Sequence, residues 1–261
     1  MSLIIFTNLD EILLPIGDRD YESVKILLEE LRPLKVILVV ITNNTRAEIE
    51  QLSQIGFADP FIVEHGSGVF LPQQARRYQI STLETAPVDK YYLYQLGCTY
   101  TEARAGLKAV QEEINKILRG FGDLDEEDIQ AITGSSLAVA RRAKAREFSE
   151  YFITPSRIEI EAIQKVAKEY GFKILRSEKL SLMMGQNAAV ESAAQWLVEN
   201  YRAVCLKRVF TVGIGSISEN LKNLDASIPL TCSNAEKGKN IATWIKAVRQ
   251  TCQEYNIFNK D

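Results

Sequence analysis

Residues 1–15 read Met1-Ser2-Leu3-Ile4-Ile5-Phe6-Thr7-Asn8-Leu9-Asp10-Glu11-Ile12-Leu13-Leu14-Pro15. Leu3–Thr7 is a short, nearly unbroken apolar run, the pattern of a strand buried on both faces of a parallel sheet. It ends by delivering two polar side chains, Asn8 and Asp10, to one place, and another apolar run follows.

Downstream the pattern alternates. Tyr21–Leu31 carries Val24, Leu27, Leu28 and Leu31 at the spacing of one helical face, and Pro33 ends that helix. Val36–Ile41 is a second buried strand. Thr42-Asn43-Asn44-Thr45 then opens a helix running through Leu52, with Asn44 or Thr45 as N-cap and Glu48 three residues after Thr45. Phe61–Val63 is a third strand. Strand, helix, strand, helix, strand predicts a parallel α/β sheet.

The middle of the chain breaks this pattern. Thr101–Leu118 is a long amphipathic helix, Asp125–Thr133 a short acidic one, and Leu137–Arg146 is rich in Ala and Arg. Ile158–Tyr170 reads as helix and Leu175–Met184 as strand material. The polar stretch Leu71–Pro87, with Pro72 and Pro87, marks the boundary. The α/β alternation returns after Met184, with helices at Ala189–Asn200, Ser218–Leu224 and Ile241–Tyr255 and a strand at Arg208–Gly213. The expectation is a doubly wound core of residues 1–82 and 186–261, interrupted by an α+β insert at 83–185.

Composition removes several function classes. Hydrophobic content of 46% and charged content of 25% are ordinary for a globular chain, and a formal charge of -3 supplies no basic face for nucleic acid. Cys98, Cys205, Cys232 and Cys252 form no CxxC pair and read as buried apolar residues. His65 is the single histidine, which argues against a Ser-His-Asp hydrolase or a His-rich zinc site. The apolar runs are far shorter than a membrane span, and the first residues lack a basic n-region and cleavage site. A cytoplasmic location without membrane or nucleic-acid partners is the expectation.

Two stretches give this layout a family likeness. Ala145-Arg146-Glu147-Phe148-Ser149-Glu150-Tyr151-Phe152 is close to a cap segment of the haloacid dehalogenase (HAD) superfamily, in the branch that contains mannosyl-3-phosphoglycerate phosphatase. Phe61-Ile62-Val63-Glu64-His65-Gly66-Ser67-Gly68 resembles the stretch after that branch's second core helix, where Asn usually replaces His65. The resemblance covers nearly the whole chain. It implies a three-layer α/β/α HAD-like core with an inserted cap of the C2 type, and a magnesium-dependent sugar phosphatase.

The positions that would carry the chemistry depart from the family. Its first motif, Asp-x-Asp followed by Gly-Thr, falls on Asn8 and Asp10, with Glu11 and Ile12 behind them. Asn8 stands where the family has its nucleophile, and an amide has no anionic oxygen with which to attack phosphorus. Asp10 retains the general acid–base position, and the phosphate-binding hydroxyl of the second motif survives as Thr42. The family's lysine falls on Ala189, and the two metal-binding carboxylates fall on Ser216 and Asn220, beside Glu219. Asp10 and Thr42 equally suit structural roles, in a turn and at a strand end or cap.

With nucleophile, lysine and metal carboxylates replaced together, the sequence reads as a pseudophosphatase that needs no cofactor. It would bind a sugar phosphate or phosphoglycerate-like anion in a sensing or regulatory role, with Thr42, Asn43, Arg146, Ser149 and Glu150 holding the ligand. Arg146 would pair an anionic group, while Ser149 and Glu150 would take hydroxyls. The alternatives are an active phosphomonoesterase using magnesium and a scaffold for a protein partner in sugar metabolism.

Overall fold

The structure is a computed structural model, which describes residues 2–8, 10, 21–34, 36–73, 84–155, 157–216, 221–230, 237–255 and 257. The chain begins with β1 (Ser2–Asn8), α1 (Glu22–Leu31), β2 (Val36–Ile41), α2 (Arg46–Ile49) and β3 (Phe61–Val63). An antiparallel excursion follows, built from β4 (Gly68–Pro72), β5 (Ala86–Val88) and β6 (Tyr91–Gln95). The insert contains α3 (Tyr100–Ile114), α4 (Glu126–Thr133), α5 (Leu137–Lys144), β7 (Ser149–Ile153), α6 (Arg157–Glu169), β8 (Phe172–Leu175) and β9 (Leu180–Gly185). The chain then returns through α7 (Val190–Val204), β10 (Val209–Ile214), β11 (Ala226–Ile228) and α8 (Lys237–Glu254).

The core sheet has the order β11-β10-β1-β2-β3-β4-β6-β5, with β11 through β3 parallel. Successive side chains of a strand point to opposite faces. Leu3 and Ile5 accordingly pack with Val24, Leu27 and Leu28 of α1 and Trp244 and Val248 of α8. Ile4 and Phe6 pack on the other face with Ala193, Leu197 and Tyr201 of α7. These are the three layers of a doubly wound core. Trp244 donates its indole N–H to Thr7 Oγ1 at 2.9 Å, which ties α8 to the residue just before Asn8.

The insert folds around an antiparallel sheet of order β7-β9-β8. Leu107 and Val110 of α3 and Ile160, Ile163 and Ala167 of α6 cover it, with Phe152 and Met183 from the strands. Phe121, Leu124, Ile129 and Ala140 make a separate small core under α4 and α5.

Two sequence expectations change. The boundary at residue 83 is too early, because β5 and β6 hydrogen-bond into the core sheet. Pro72 ends β4, and Pro87 lies in β5, the terminal strand, where a missing N–H is tolerated. The helix expected at Ser218–Leu224 is not seen at residues 221–224, and residues 218–220 lie outside the described part. No helix among the described residues is long and apolar enough to cross a membrane.

Candidate functional site at the ends of the central strands

The C-terminal ends of β10, β1 and β2 lie side by side, with Thr7 opposite Ile214 and Asn8 opposite Ile41. Asn8, Asp10, Thr42 and Ser216 therefore come to one edge of the sheet. Asn220, expected beside them, lies outside the described residues.

Asp10 is the hub of this edge. Thr42 Oγ1 donates to its Oδ1, Asn44 Nδ2 donates to the same oxygen at 3.2 Å, and the Asn43 N–H donates to Oδ2 at 2.8 Å. The Asp10 N–H donates to Asn8 Oδ1 at 2.9 Å, and the Asn44 N–H to Thr42 Oγ1 at 3.0 Å. A threonine hydroxyl has one proton, and here Asp10 receives it. Thr42 and the Asn43 N–H, expected from the sequence to hold a ligand, thus donate to a carboxylate of the chain itself.

Magnesium, which the family resemblance implies, prefers carboxylate oxygens in near-octahedral geometry. Among the described residues, the donor set at the strand ends is one carboxylate with both oxygens already accepting hydrogen bonds, one amide and one hydroxyl, from Asp10, Asn8 and Ser216. Those residues do not fit the ion. Among the described residues no cluster of three His, Cys, Asp or Glu side chains could hold a metal. Ala189, where the sequence resemblance places the family's lysine, is the residue before α7 and offers no side-chain cap.

Arg146, Ser149 and Glu150 are placed differently from their expected role. The side chains of Arg146 and Glu64 are 1% and 0% exposed, with Nε 3.3 Å from Oε2. Arg146 also donates to Ser149 Oγ at 2.8 Å and to the Asn43 carbonyl at 3.1 Å, and lies 4.5 Å over the Tyr151 ring. The Ser149 hydroxyl donates to Glu64. Glu150 is buried within the insert, accepting from the Gly122 N–H and Arg104, both at 2.9 Å. Burial pushes its carboxyl above the usual range against those donors. All three side chains thus have partners inside the protein, which the local sequence could not reveal.

The residue the sequence reading passed over is Glu64. It accepts from the Glu147 N–H at 2.8 Å and the Phe148 N–H at 3.2 Å, besides Ser149 and Arg146. Its signal was an acid inside an otherwise apolar strand end, before Gly66. Glu64, His65 and Gly66 have φ of 48, 58 and 83°. This left-handed turn is costly for the first two, and glycine is required third, because a Cβ there would lie 2.2 Å from the Ala189 carbonyl carbon. Burial first, then Arg146 and Lys173, lower the His65 pKa to about 4.

Two further ion pairs hold the insert over the core. Arg46 donates to Glu147 at 3.0 and 3.1 Å, and Arg142 donates through Nε to Glu48. Thr45 caps α2 by accepting from the Glu48 N–H, while its hydroxyl donates to the Arg142 carbonyl at 2.9 Å. Between core and insert lies a cavity of about 240 Å³, bounded by Asp10, Asn44, Thr45 and Glu48 below and by Ser135, Val139 and Ala143 above.

A doubly wound core, an inserted cap and a polar cluster at the end of β1 define a capped α/β protein of the phosphatase type. The chain is 30% identical over 241 residues to a glucosyl-3-phosphoglycerate/mannosyl-3-phosphoglycerate phosphatase of Persephonella marina, covering 90% of this chain and 86% of the relative. It is 29% identical over 216 residues to the mannosyl-3-phosphoglycerate phosphatase of Pyrococcus furiosus, covering 82% and 85%. Among solved structures, a HAD subclass IIB sugar phosphatase matches with a TM-score of 0.59 at 11% identity, covering 98% of this chain and 100% of the other. A HAD phosphatase of Bacteroides thetaiotaomicron matches with a TM-score of 0.56 at 13% identity, covering 96% and 95%. No protein-family model matches the chain. The chain belongs to the mannosyl-3-phosphoglycerate phosphatase family of the HAD superfamily.

Proposed function

We propose that this chain is a non-hydrolysing member of its family, a pseudophosphatase that binds a glycosyl-phosphoglycerate-like ligand or its sugar part in a sensing or regulatory role. The observation that carries this reading is the clamp on Asp10. Thr42 and the Asn43 N–H donate to that carboxylate, while Asn8 supplies an amide where the family has its nucleophile. No nucleophilic carboxylate remains at position 8, and Ala189 brings no charge to offset a transferring phosphoryl group. The cavity beside Asp10 supports ligand binding in place of turnover.

The test is phosphate release from mannosyl-3-phosphoglycerate and glucosyl-3-phosphoglycerate with magnesium present. Turnover should stay below about 1 per second, near the low end for enzymes. Asn8→Asp alone should not restore it, since Ala189 and Ser216 still leave the new charge unneutralised. Turnover above that level in a preparation free of other phosphatases would overturn the reading. Family membership favours a second reading, a magnesium-dependent phosphomonoesterase, which that same result would establish.

A further inference from the structure

The cavity between core and cap has a chemistry of its own. Glu48 lines it and is 4% exposed. One carboxylate oxygen, Oε2, takes the Arg142 Nε proton, while Oε1 is buried without a hydrogen-bond partner. Buried polar atoms are nearly always paired, and a carboxylate oxygen can be paired only by a donor. Asp10 faces the same cavity with a second carboxylate, and Asn44, Thr45 and Ser135 contribute further polar groups. Val139 and Ala143 supply small apolar surface on the cap side. Among the described residues, no lysine or arginine lines it.

From this lining we infer that the cavity takes the uncharged, hydroxyl-rich part of a sugar and rejects the phosphorylated form. Sugar hydroxyls supply donors to the carboxylates of Asp10 and Glu48, and the C–H face of a sugar ring suits Val139 and Ala143. A phosphate in the same space would meet the carboxylates of Asp10 and Glu48, with no cation among the described lining residues and with the Arg142 guanidinium committed to Glu48. Its volume of about 240 Å³ falls below the ~300–1,000 Å³ of drug-sized sites and limits the occupant to about one ring. The inference rests on the non-hydrolysing reading and narrows it. The site selects a product-like ligand, without the group that a phosphatase removes.

The experiment is calorimetric titration of the full chain with methyl α-mannoside and methyl α-glucoside, and with mannose 6-phosphate, glucose 6-phosphate and inorganic phosphate. The neutral glycosides should bind, and their phosphorylated counterparts should bind at least ~10-fold more weakly, because like charges disfavour one another at short range. Val139→Phe fills the cavity from the cap and should abolish glycoside binding without lowering the melting temperature. Glu48→Gln should weaken binding by about tenfold. Tighter binding of the phosphorylated sugars, no binding of either glycoside, or unchanged binding by Val139→Phe would each overturn the inference. Phosphate release from the sugar phosphates during the titration would overturn the non-hydrolysing reading instead, so the two failures are separable.

Discussion

Replacing Arg146 with alanine should damage the fold before it damages any ligand site. The guanidinium and the Glu64 carboxylate are 1% and 0% exposed and 3.3 Å apart. Truncating one partner of a buried ion pair leaves the other charge uncompensated, at a cost of about 3–5 kcal/mol. Glu64 keeps the Glu147 and Phe148 N–H groups and the Ser149 hydroxyl as donors, which moves the expected loss toward the lower end, about 3 kcal/mol. That is a large part of the ~5–15 kcal/mol that holds a domain together.

Urea unfolding followed by tryptophan fluorescence and far-ultraviolet circular dichroism measures the loss. Hydrogen exchange at the Glu147 and Phe148 amides localises it to the joint between core and cap. Adding Glu64→Gln to Arg146→Ala removes the stranded charge and should recover part of the loss, giving a coupling of about 1–3 kcal/mol between the two sites. An Arg146→Ala variant within 1 kcal/mol of the native chain, with unchanged exchange at 147 and 148, would refute the structural assignment. It would return Arg146 to the ligand.

Three more outcomes are expected. The single imidazole, His65, should titrate near pH 4 by NMR instead of at its ordinary 6.5. The unfolded chain then binds that proton first, so stability is full above about pH 6.5 and falls by up to about 3 kcal/mol as the pH drops toward 4. His65→Asn should flatten that slope while tolerating the left-handed backbone, and a native imidazole titrating at 6.5 would contradict the buried placement. Gly66→Ala should cost ~2–5 kcal/mol in chemical denaturation, from its φ of 83° and the collision with Ala189. Thr45→Ala should cost roughly 1–2 kcal/mol, because the α2 cap and the bond to the Arg142 carbonyl are lost together; a neutral substitution there would show that the cap is not tied down by that residue.

The central strands were legible because burial on both faces leaves little freedom in their sequence. All six residues of Val36–Ile41 are buried, and a short β-branched run bounded by Pro33 and Thr42-Asn43-Asn44 reads as a parallel strand. Asn8, Asp10, Thr42 and Ser216 were singled out by the family resemblance, and the parallel order of β10, β1 and β2 brings them to one edge. β5 and β6 were missed because Pro72 and Pro87 read as linker residues, and only the sheet order shows that Pro87 lies on an edge. Arg146 in Ala145–Phe152 suggested ligand contact for a similar reason. Its partner Glu64 belongs to a distant segment, and local sequence carries no trace of a pairing made by the fold. Glu48 reads as a helix-cap residue until α5 brings Arg142 to it.

The departures from the family pattern are also consistent with one another as electrostatics. A transferred phosphoryl group, its metal and the family's lysine and carboxylates balance only when all are present. Losing the lysine alone would leave several carboxylates crowded together; losing the carboxylates alone would strand a buried cation. On the non-hydrolysing reading proposed above, both signs are gone at Asn8, Ala189 and Ser216, and Asp10 is held by neutral donors from Thr42, Asn43 and Asn44. The charges that bind the cap lie just beyond, in Arg46 with Glu147, Glu48 with Arg142, and Glu64 with Arg146. The segment from Thr42 to Glu48 serves both ends, gripping Asp10 with its first residues and the cap with its last. A ligand seated in the cavity would meet residues from both parts of that segment, Asn44 and Glu48 among them.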